Sequence, residues 1–501
     1  MRRGATIAAG AAAIVALAAP AVAPASKRGK DAKSSLDRPR APLVLEGSDL
    51  PAGLAGVEPE RLVAFKYRAP KRGRRGRWRQ VPVQVDERLA VDFGDVPTPG
   101  PVSRTPGTVY GTAAGGVTAL QYADRSTFVG PDDDPSLDAD DEIVVMAKDA
   151  GDRAPSGRRT PRRARKKGLA RIKVEDPVDG GRGWVYLFAA TRDADHPLDP
   201  AAGRDYVDYE FSLQRGSYQS TYDTRDGPNP ESSRVIAKSY VAGFSDRWIF
   251  DLLRIGGASA PDILDGHKFG IAPGQCGRSE DTFSGTDTND RPNDRGEGAF
   301  VANIDGPVRA IRSYVGANSG PYTQRTHLFY ATEHSLETNL RVHAIPGLFS
   351  HYDLSSEAIG MTYRSSAHPG GVRVDGVPDA VGEQVPSWHL WSGSQGSLFA
   401  ADRVASSFDS ELTASQRGYY LDDATPADRQ CWGDSATYGA AGIASAPPGG
   451  IPDTDPRSSE FETLRSTSTT LMGAPGAGAV DAERWSDRLD SPLGVSVRER
   501  R

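Results

Sequence analysis

The sequence predicts an all-β protein built as an antiparallel β-sandwich or supersandwich, with long loops and one or two short helices. Segments in which apolar and polar residues alternate recur along the chain, "RWRQVPVQVDE" and "LARIKVE" among them, and a period of two residues is typical of half-buried strands. Glycine and proline number 55 and 37, which indicates frequent turns. Successive strands with few helical segments between them favour antiparallel sheets over a β-α-β arrangement.

The first residues are typical of a secretory signal peptide, which we predict at 1–23. Arg2 and Arg3 precede the apolar run Ala5–Ala19, and Ala21–Ala23 has the small-residue pattern of a cleavage site. No later segment approaches the ~18 consecutive apolar residues that a membrane helix needs. We therefore expect an exported protein without a membrane span, either secreted or on the exterior of the cell envelope.

Composition divides the rest of the chain into four parts. Residues 24–41 are polar and basic and form a predicted flexible leader. We expect an N-terminal β domain with acidic and basic loops at 42–195, a C-terminal β-supersandwich domain at 204–480 and a tail at 481–501. Two segments carry helix signals: "SDRWIFDLLRIGG", which Ser245 would cap, and the weaker "AVDAERWSDRLD" near the C-terminus.

Charge and cysteine content limit the classes of partner. The net charge of −6 is too small to indicate nucleic acid. Cys276 and Cys431 are the two cysteines, and an even count in an exported protein predicts a disulfide bond, with two buried thiols as the alternative. The basic stretches Lys66–Arg79 and Arg153–Lys173 fit a polyanion such as a cell-wall polymer, although solvated hairpin loops are the simpler explanation.

An acidic loop precedes one of the predicted strands. Seven of the residues from Asp132 to Glu142 are acidic, and calcium prefers about six to eight oxygen ligands, several of them carboxylates. The candidate metal ligands are Asp134, Asp138, Asp140 and Glu142. Their spacing does not match an EF-hand loop, and a solvated turn is the favoured interpretation. The sequence requires no cofactor, and calcium is the one that it could accommodate.

The sequence contains no nucleophile elbow, zinc-protease, phosphate-loop or dinucleotide motif. The best group of candidate catalytic residues is therefore in the predicted hairpin formed by "TQRTHLFYA" and "SLETNLRVHAI". Alternation of side chains predicts one polar face that carries Arg325, His327, Glu337, Asn339, Arg341 and His343, joined by Arg312 and Tyr314 from the preceding strand. The candidate catalytic residues on this face are His327, His343 and Glu337, since imidazole and carboxylate groups can transfer protons near neutral pH.

The same face supplies candidate substrate-binding residues. They are Arg312, Tyr314, Arg325, Asn339 and Arg341, together with Trp388 and Trp391 from "SWHLWSG". Arginine binds carboxylates bidentately, and exposed indole rings stack on sugar rings. Two alternatives remain open: a polar sheet face turned towards water, and a tryptophan-rich core strand.

The long antiparallel strands that start at "GPVRA", with a face bearing His, Arg and Glu, resemble the galactose-mutarotase-like supersandwich over roughly Tyr206 to Met472. This architecture occurs in sugar epimerases and in several polysaccharide lyases and hydrolases. The resemblance implies that a concave sheet face holds a sugar, with a histidine or tyrosine and a carboxylate as acid and base.

The predicted function is therefore that of an exported protein that binds a polysaccharide or acidic glycan. If the protein is an enzyme, the resemblance implies a polysaccharide lyase, an epimerase or another glycoside-processing enzyme. The alternative is a non-catalytic cell-envelope protein that binds wall polymer or has a structural role. The sequence makes no prediction about the oligomeric state.

Overall fold

The structure, a computed structural model, describes residues 33–70, 75–92, 118–127, 129–192, 197–212, 232–245, 250–270, 298–316, 322–341, 344–408, 411–425, 436–453 and 463–499. These residues form mainly β-strands. The predicted all-β class is confirmed.

The elements are numbered along the chain. The first nine strands are β1 (Pro42–Glu46), β2 (Leu62–Arg68), β3 (Arg77–Val81), β4 (Gln84–Asp86), β5 (Arg88–Asp92), β6 (Thr118–Tyr122), β7 (Glu142–Met146), β8 (Ala164–Glu175) and β9 (Arg182–Ala190). They are followed by β10 (Val207–Glu210), β11 (Ser233–Ala237), β12 (Tyr240–Phe244), β13 (Phe250–Ile255), β14 (Leu264–Gly270), β15 (Gly298–Ile304), β16 (Ala310–Gly316), β17 (Tyr322–Phe329) and β18 (Glu333–Arg341). The last elements are β19 (Leu348–Leu354), β20 (Thr362–Ser365), β21 (Val372–Arg373), β22 (His389–Gly393), β23 (Gly396–Ser406), α1 (Glu411–Ala414), β24 (Gln416–Asp423), β25 (Thr437–Ser445), β26 (Leu464–Gly473), α2 (Ala479–Asp490) and β27 (Gly494–Glu499).

Within the described residues these strands form six sheets. The largest has nine strands in the order β15-β16-β17-β18-β26-β23-β22-β20-β21, and two four-stranded sheets have the orders β10-β11-β12-β13 and β14-β19-β25-β24. The other three are β27-β8-β9-β2-β3, β1-β7-β4 and β5-β6.

The nine-stranded sheet and the two four-stranded sheets enclose the main core. Phe329, Trp391 and Leu398 from the large sheet belong to the same buried cluster as Val235 and Tyr352 from the four-stranded sheets. Removal of this apolar surface from water is the main favourable contribution to such a layered fold.

The five-stranded and three-stranded sheets share a second core. Leu62, Ile172 and Leu187 from the larger of these sheets pack with Leu43 and Ile143 from the smaller. The opposite faces of β2 and β9 are buried as well, with Val63 and Phe188 in a separate cluster, so these two strands are apolar at nearly every position.

A buried network around Arg309 joins the two cores. Arg309, just ahead of β16, is only 1% exposed, and its Nε donates to Asp86 of β4 at 2.9 Å. Its Nη2 also pairs with Glu142 of β7. Gln84 adds a further link, because its side-chain oxygen accepts hydrogen bonds from the backbone of Val308 and Arg309.

The two helix predictions have opposite outcomes. "AVDAERWSDRLD" forms α2. The helix predicted in "SDRWIFDLLRIGG" is wrong, because its second half is β13, which pairs with β12. No helix among the described residues has the length and apolar character to cross a membrane.

Both chain ends are more ordered than the predicted leader and tail imply. In the described part of the leader, Arg38 is buried, and its Nη1 donates to the carbonyl of Ser491 at 2.6 Å. The predicted tail contains most of α2 and all of β27, which pairs with β8. The division into two domains stays a prediction, and the signal peptide lies outside the described residues.

Replacement of Arg309 tests the junction. Arg309→Met leaves the buried carboxylate of Asp86 without its guanidinium, and we expect the free energy of unfolding to fall by about 3–5 kcal/mol, the usual cost of removing one partner from a buried ion pair. Urea unfolding measures the loss. The double variant Arg309→Met/Asp86→Asn should recover part of it because the unpaired charge is gone; a double variant that loses the full sum of both single losses would contradict this account.

Candidate functional site

The predicted polar face is divided between the two sides of the sheet. Arg325 pairs with Thr338, and His327 pairs with Leu336, whereas Glu337 lies opposite Thr326. The prediction placed odd-numbered residues of both strands on one face. In the hairpin, Phe329 pairs with His334, and the even number of residues between them places odd positions of one strand beside even positions of the next.

The inward side carries the arginines and His327. Arg312 pairs with His327 and Tyr314 pairs with Arg325, so the predicted grouping of these four residues is confirmed. They are buried, however, with exposures of 1% for Arg312, 2% for Arg325 and 4% for His327. The ring of Phe244 lies 5.0 Å from that of His327. The prediction that this face is open to a ligand is wrong, because the four-stranded sheets cover it.

Imidazoles supply the polar partners of this interior. Arg325 Nη2 donates to His267 Nδ1 at 2.7 Å, and His327 Nδ1 lies 3.0 Å from His334 Nε2. Burial, followed by nearby positive charge, lowers the pKa of His327 and His267 well below the usual range and that of His334 to about 3. Burial also lowers the pKa of Arg325 to about 10. Neutral imidazoles thus accept hydrogen bonds that carboxylates would otherwise accept.

The outward side has the character of an ordinary solvated sheet. Glu337 accepts a hydrogen bond from Asn339 at 2.9 Å and forms an ion pair with Arg465. Arg341 pairs with Tyr322 through its backbone, while its side chain and the whole of His343 lie outside the described residues. The alternative of a polar face turned towards water therefore describes Glu337 and Asn339.

The two candidate sugar-stacking tryptophans are core residues. Trp391 is buried, and its indole N–H donates to the carbonyl of Gly439 at 2.7 Å. Trp388 is buried beneath α2 with Leu390 and Phe399. The prediction of an exposed stacking surface is wrong, and the alternative of a tryptophan-rich core strand is confirmed.

The buried imidazoles predict sensitivity to acid. Because the folded-state pKa values of His327 and His334 are lowered, the unfolded chain takes up their protons below about pH 6.5 while the folded chain does not. Stability should therefore fall as pH decreases from about 6.5, by up to about 1.4 kcal/mol per pH unit for each histidine. Urea unfolding of His327→Gln/His334→Gln at several pH values should give a shallower dependence than the wild type.

A matched control separates this effect from damage to the core. Phe329 stacks on His334 with ring centroids 4.2 Å apart and does not titrate. Phe329→Leu should lower stability at every pH and keep the wild-type slope. An unchanged slope in the double histidine variant would contradict the prediction.

A pocket beneath α2, here called the α2 pocket, is a better candidate site. Ala482, Trp485 and Leu489 of α2 are three and four residues apart and therefore lie on one face of the helix. This face packs against the large sheet. Trp485 and Phe399 meet edge to face at 5.6 Å. The pocket has a volume of about 320 Å³ and is lined by Asp37, Arg38, Pro39, Arg40, Ala41, Glu333, Leu471, Arg484, Trp485, Arg488 and Leu489.

Arg40 and Glu333 supply the reactive groups of this pocket. Arg40 Nη1 is buried and has no hydrogen-bond partner in the part of the chain that the structure describes, and the guanidinium carbon lies 5.4 Å from the centre of the Trp485 ring. Burial raises the pKa of Glu333 to about 7, while the charges of Arg38 and Arg40 oppose the rise. Arg38 itself bonds Ser491 and holds the pocket wall in place.

A second cleft, of about 930 Å³, lies around Lys148, Arg204, Tyr206 and Lys238. The ammonium group of Lys148 lies 3.5 Å from the centre of the Tyr206 ring. Burial lowers the pKa of Lys148, and the charges of Lys238 and Arg204 add to the effect while Asp149 opposes it. Asp149 accepts a hydrogen bond from Tyr206 at 2.6 Å, so much of the polar surface here already has a partner.

The acidic loop has different ligand candidates from those predicted. Glu142 bonds Arg88 and Tyr122, so the prediction of a free metal ligand at this position is wrong. Asp134 closes a local turn by accepting bonds from Ser136, and no cation-ligand cluster among the described residues includes it.

The remaining predicted metal ligands, Asp138 and Asp140, lie close to a carboxylate that was not predicted as a ligand. Asp138 and Asp140 lie with Asp141, their ligand atoms within 4.8 Å of one another, and Glu87, Asp132 and Asp141 form a second such group. Burial, followed by neighbouring carboxylates, raises the pKa of Glu87 to about 8. The predicted disulfide cannot be placed, because Cys276 and Cys431 lie outside the described residues.

Comparisons with known proteins provide little further information. No protein-family model matches the chain, and no curated protein matches it. Among solved structures, a protein from Escherichia coli K12 provisionally described as an aldose 1-epimerase aligns with a TM-score of 0.26 and 12% identity, covering 47% of this chain and 97% of that one. Similarity at this level carries no argument about the function of this chain.

Proposed function

We propose that this protein binds a carboxylate-bearing saccharide in the α2 pocket. The observation that carries the proposal is the buried Nη1 of Arg40, which has no hydrogen-bond partner among the described residues, in a guanidinium group that lies beside the ring of Trp485. The proposal keeps the acidic glycan predicted from the sequence and moves its site from the hairpin to the pocket.

The chemistry of Arg40 favours an anion. A buried N–H without a hydrogen-bond partner has a free-energy cost, and a ligand oxygen would remove it. Guanidinium groups bind carboxylates through two parallel hydrogen bonds. Glu333 is an electrostatic neighbour of Arg40, but no ion pair joins the two among the described contacts, so a ligand could lie between them.

The other walls favour a sugar ring. Trp485 offers an indole surface of the kind on which sugar rings pack, and Leu471 and Leu489 add apolar surface. The volume of about 320 Å³ lies near the lower end of the ~300–1,000 Å³ range of ligand pockets. Such a pocket fits a chain end or a single residue better than a long stretch of polymer.

The proposed location follows from the signal-peptide pattern. Arg2 and Arg3 followed by an apolar run and Ala21–Ala23 favour export, and wall polymers and acidic glycans are found outside the cell membrane. Binding without catalysis also agrees with the alternative of a non-catalytic cell-envelope protein that binds wall polymer.

Arg40 provides the direct test of binding. Arg40→Gln should weaken affinity for an oligogalacturonate at least about tenfold, because a hydrogen bond to a charged group contributes about 1.5–3 kcal/mol. Calorimetric titration with the oligogalacturonate and with its carboxyl-reduced counterpart measures the effect. The reduced oligomer should bind weakly to both proteins.

Lys238→Gln, in the second cleft, is the matched control and should bind as the wild type does. If Lys238→Gln weakens binding and Arg40→Gln does not, the second cleft holds the ligand and the α2 pocket does not. Thermal unfolding of both variants checks that each is folded.

Glu333 favours a second function, β-elimination of the bound saccharide. A carboxyl with a pKa of about 7 can act as base and acid near neutral pH, and Arg40 would stabilise the negative charge that develops on the substrate carboxylate. Glu333 would accept the proton from the carbon beside that carboxylate. A double bond then forms as the bond to the glycosidic oxygen breaks, and the departing oxygen takes the proton back from Glu333.

Ultraviolet absorbance of new unsaturated ends tests this function. The wild type should produce them at a rate that increases as pH rises through about 7, because the unprotonated carboxylate is the active form. Glu333→Gln should bind the oligomer and produce none. A wild type without unsaturated products would remove the elimination and leave binding as the function.

A further inference from the structure

Glu87, between β4 and β5, has a carboxylate that lies against the acidic loop. Both of its side-chain oxygens are shielded from solvent and accept no hydrogen bond from the described residues. Ligand atoms of Glu87, Asp132 and Asp141 all lie within 4.8 Å of one another, and Asp141 is fully buried, with 0% exposure. No ion pair of the described residues involves any of these three carboxylates.

The nearest arginine is occupied elsewhere. Arg88 follows Glu87 directly, but its guanidinium bonds Glu142 at 2.9 Å and lies 3.7 Å from Glu46. Its backbone N–H donates to one oxygen of Asp141 at 3.0 Å. The backbone thus orients Asp141 while the Arg88 side chain points to a different carboxylate, so Arg88 does not pair with Glu87.

We propose that Glu87, Asp132 and Asp141 bind a calcium ion, with Asp138 as a neighbouring ligand. Asp138 lies in the group that shares Asp141, and its backbone N–H donates to the second oxygen of Asp141 at 2.9 Å. Several carboxylates from irregular segments suit the flexible oxygen coordination of calcium better than the strict octahedral geometry of magnesium.

The proposed site is next to the junction between the two cores. Glu87 lies between Asp86, which bonds Arg309, and Arg88, which bonds Glu142. Asp141 directly precedes Glu142 and β7. A cation held by Glu87 and Asp141 would therefore fix the acidic loop against the strand ends that hold the buried ion network.

Calorimetric titration of the full chain with calcium chloride, after removal of metal with EDTA, tests the proposal. The wild type should bind one calcium ion per chain and show a higher Tm in its presence, since a ligand that binds only the folded state stabilises it. Magnesium at the same concentration should produce a much smaller shift. No heat of calcium binding, or equal shifts with the two metals, would overturn the proposal.

Two variants separate a metal site from a general effect of acidity. Glu87→Gln should weaken calcium binding at least about tenfold, because a charged ligand is lost. Asp133→Asn removes a charge from the acidic loop at an exposed position outside the cluster and should bind calcium as the wild type does. Equal losses in the two variants would count against the site.

Discussion

The buried ion pair between Arg309 and Asp86 is the interaction on which the relative placement of the two cores depends. Asp86 ends β4, and Arg309 directly precedes β16, so the pair joins a small sheet to the large one. Charges of this kind are stable in an interior only while they are paired and hydrogen-bonded. A shift between the sheets would separate them, and the network therefore selects one arrangement out of the many that apolar packing alone would allow.

The main core illustrates a different solution to the same physical problem. Arg325 has an imidazole as acceptor, and His327 and His334 bond one another. These hydrogen bonds form without a carboxylate, but the imidazoles must stay neutral, because a charged ring here would be desolvated and close to a guanidinium. The chain has eight histidines, and the concentration of several at this place reflects packing between sheets rather than access to a ligand.

Alternation could predict the strands but not the face that each side chain occupies. The segment "RWRQVPVQVDE" contains β3 and β4, and "LARIKVE" lies in β8, because a period of two is a property of the local sequence. Whether Arg325 and Glu337 lie on the same face of the sheet depends on the number of residues in the turn between their strands. A change of one residue in that turn moves one strand's side chains to the opposite face. The short segment "SDRWIFDLLRIGG" fits the period of a helix as well as that of a strand. Its second half forms a strand because it pairs with β12.

The α2 pocket could not be predicted from local patterns, because its parts come from opposite ends of the chain. Arg40 lies in the predicted leader and Trp485 in the predicted tail, and they meet through the packing of α2 on the large sheet and the pairing of β27 with β8. Arg40 is two residues ahead of β1, which pairs along its length with β7. β7 starts at Glu142, beside Asp141, and Met146 at its other end pairs with Pro42. The proposed calcium site and the proposed saccharide pocket therefore lie at the two ends of one hydrogen-bonded ladder, and a cation bound at the first would reduce the entropy that Arg40 loses on binding a ligand at the second.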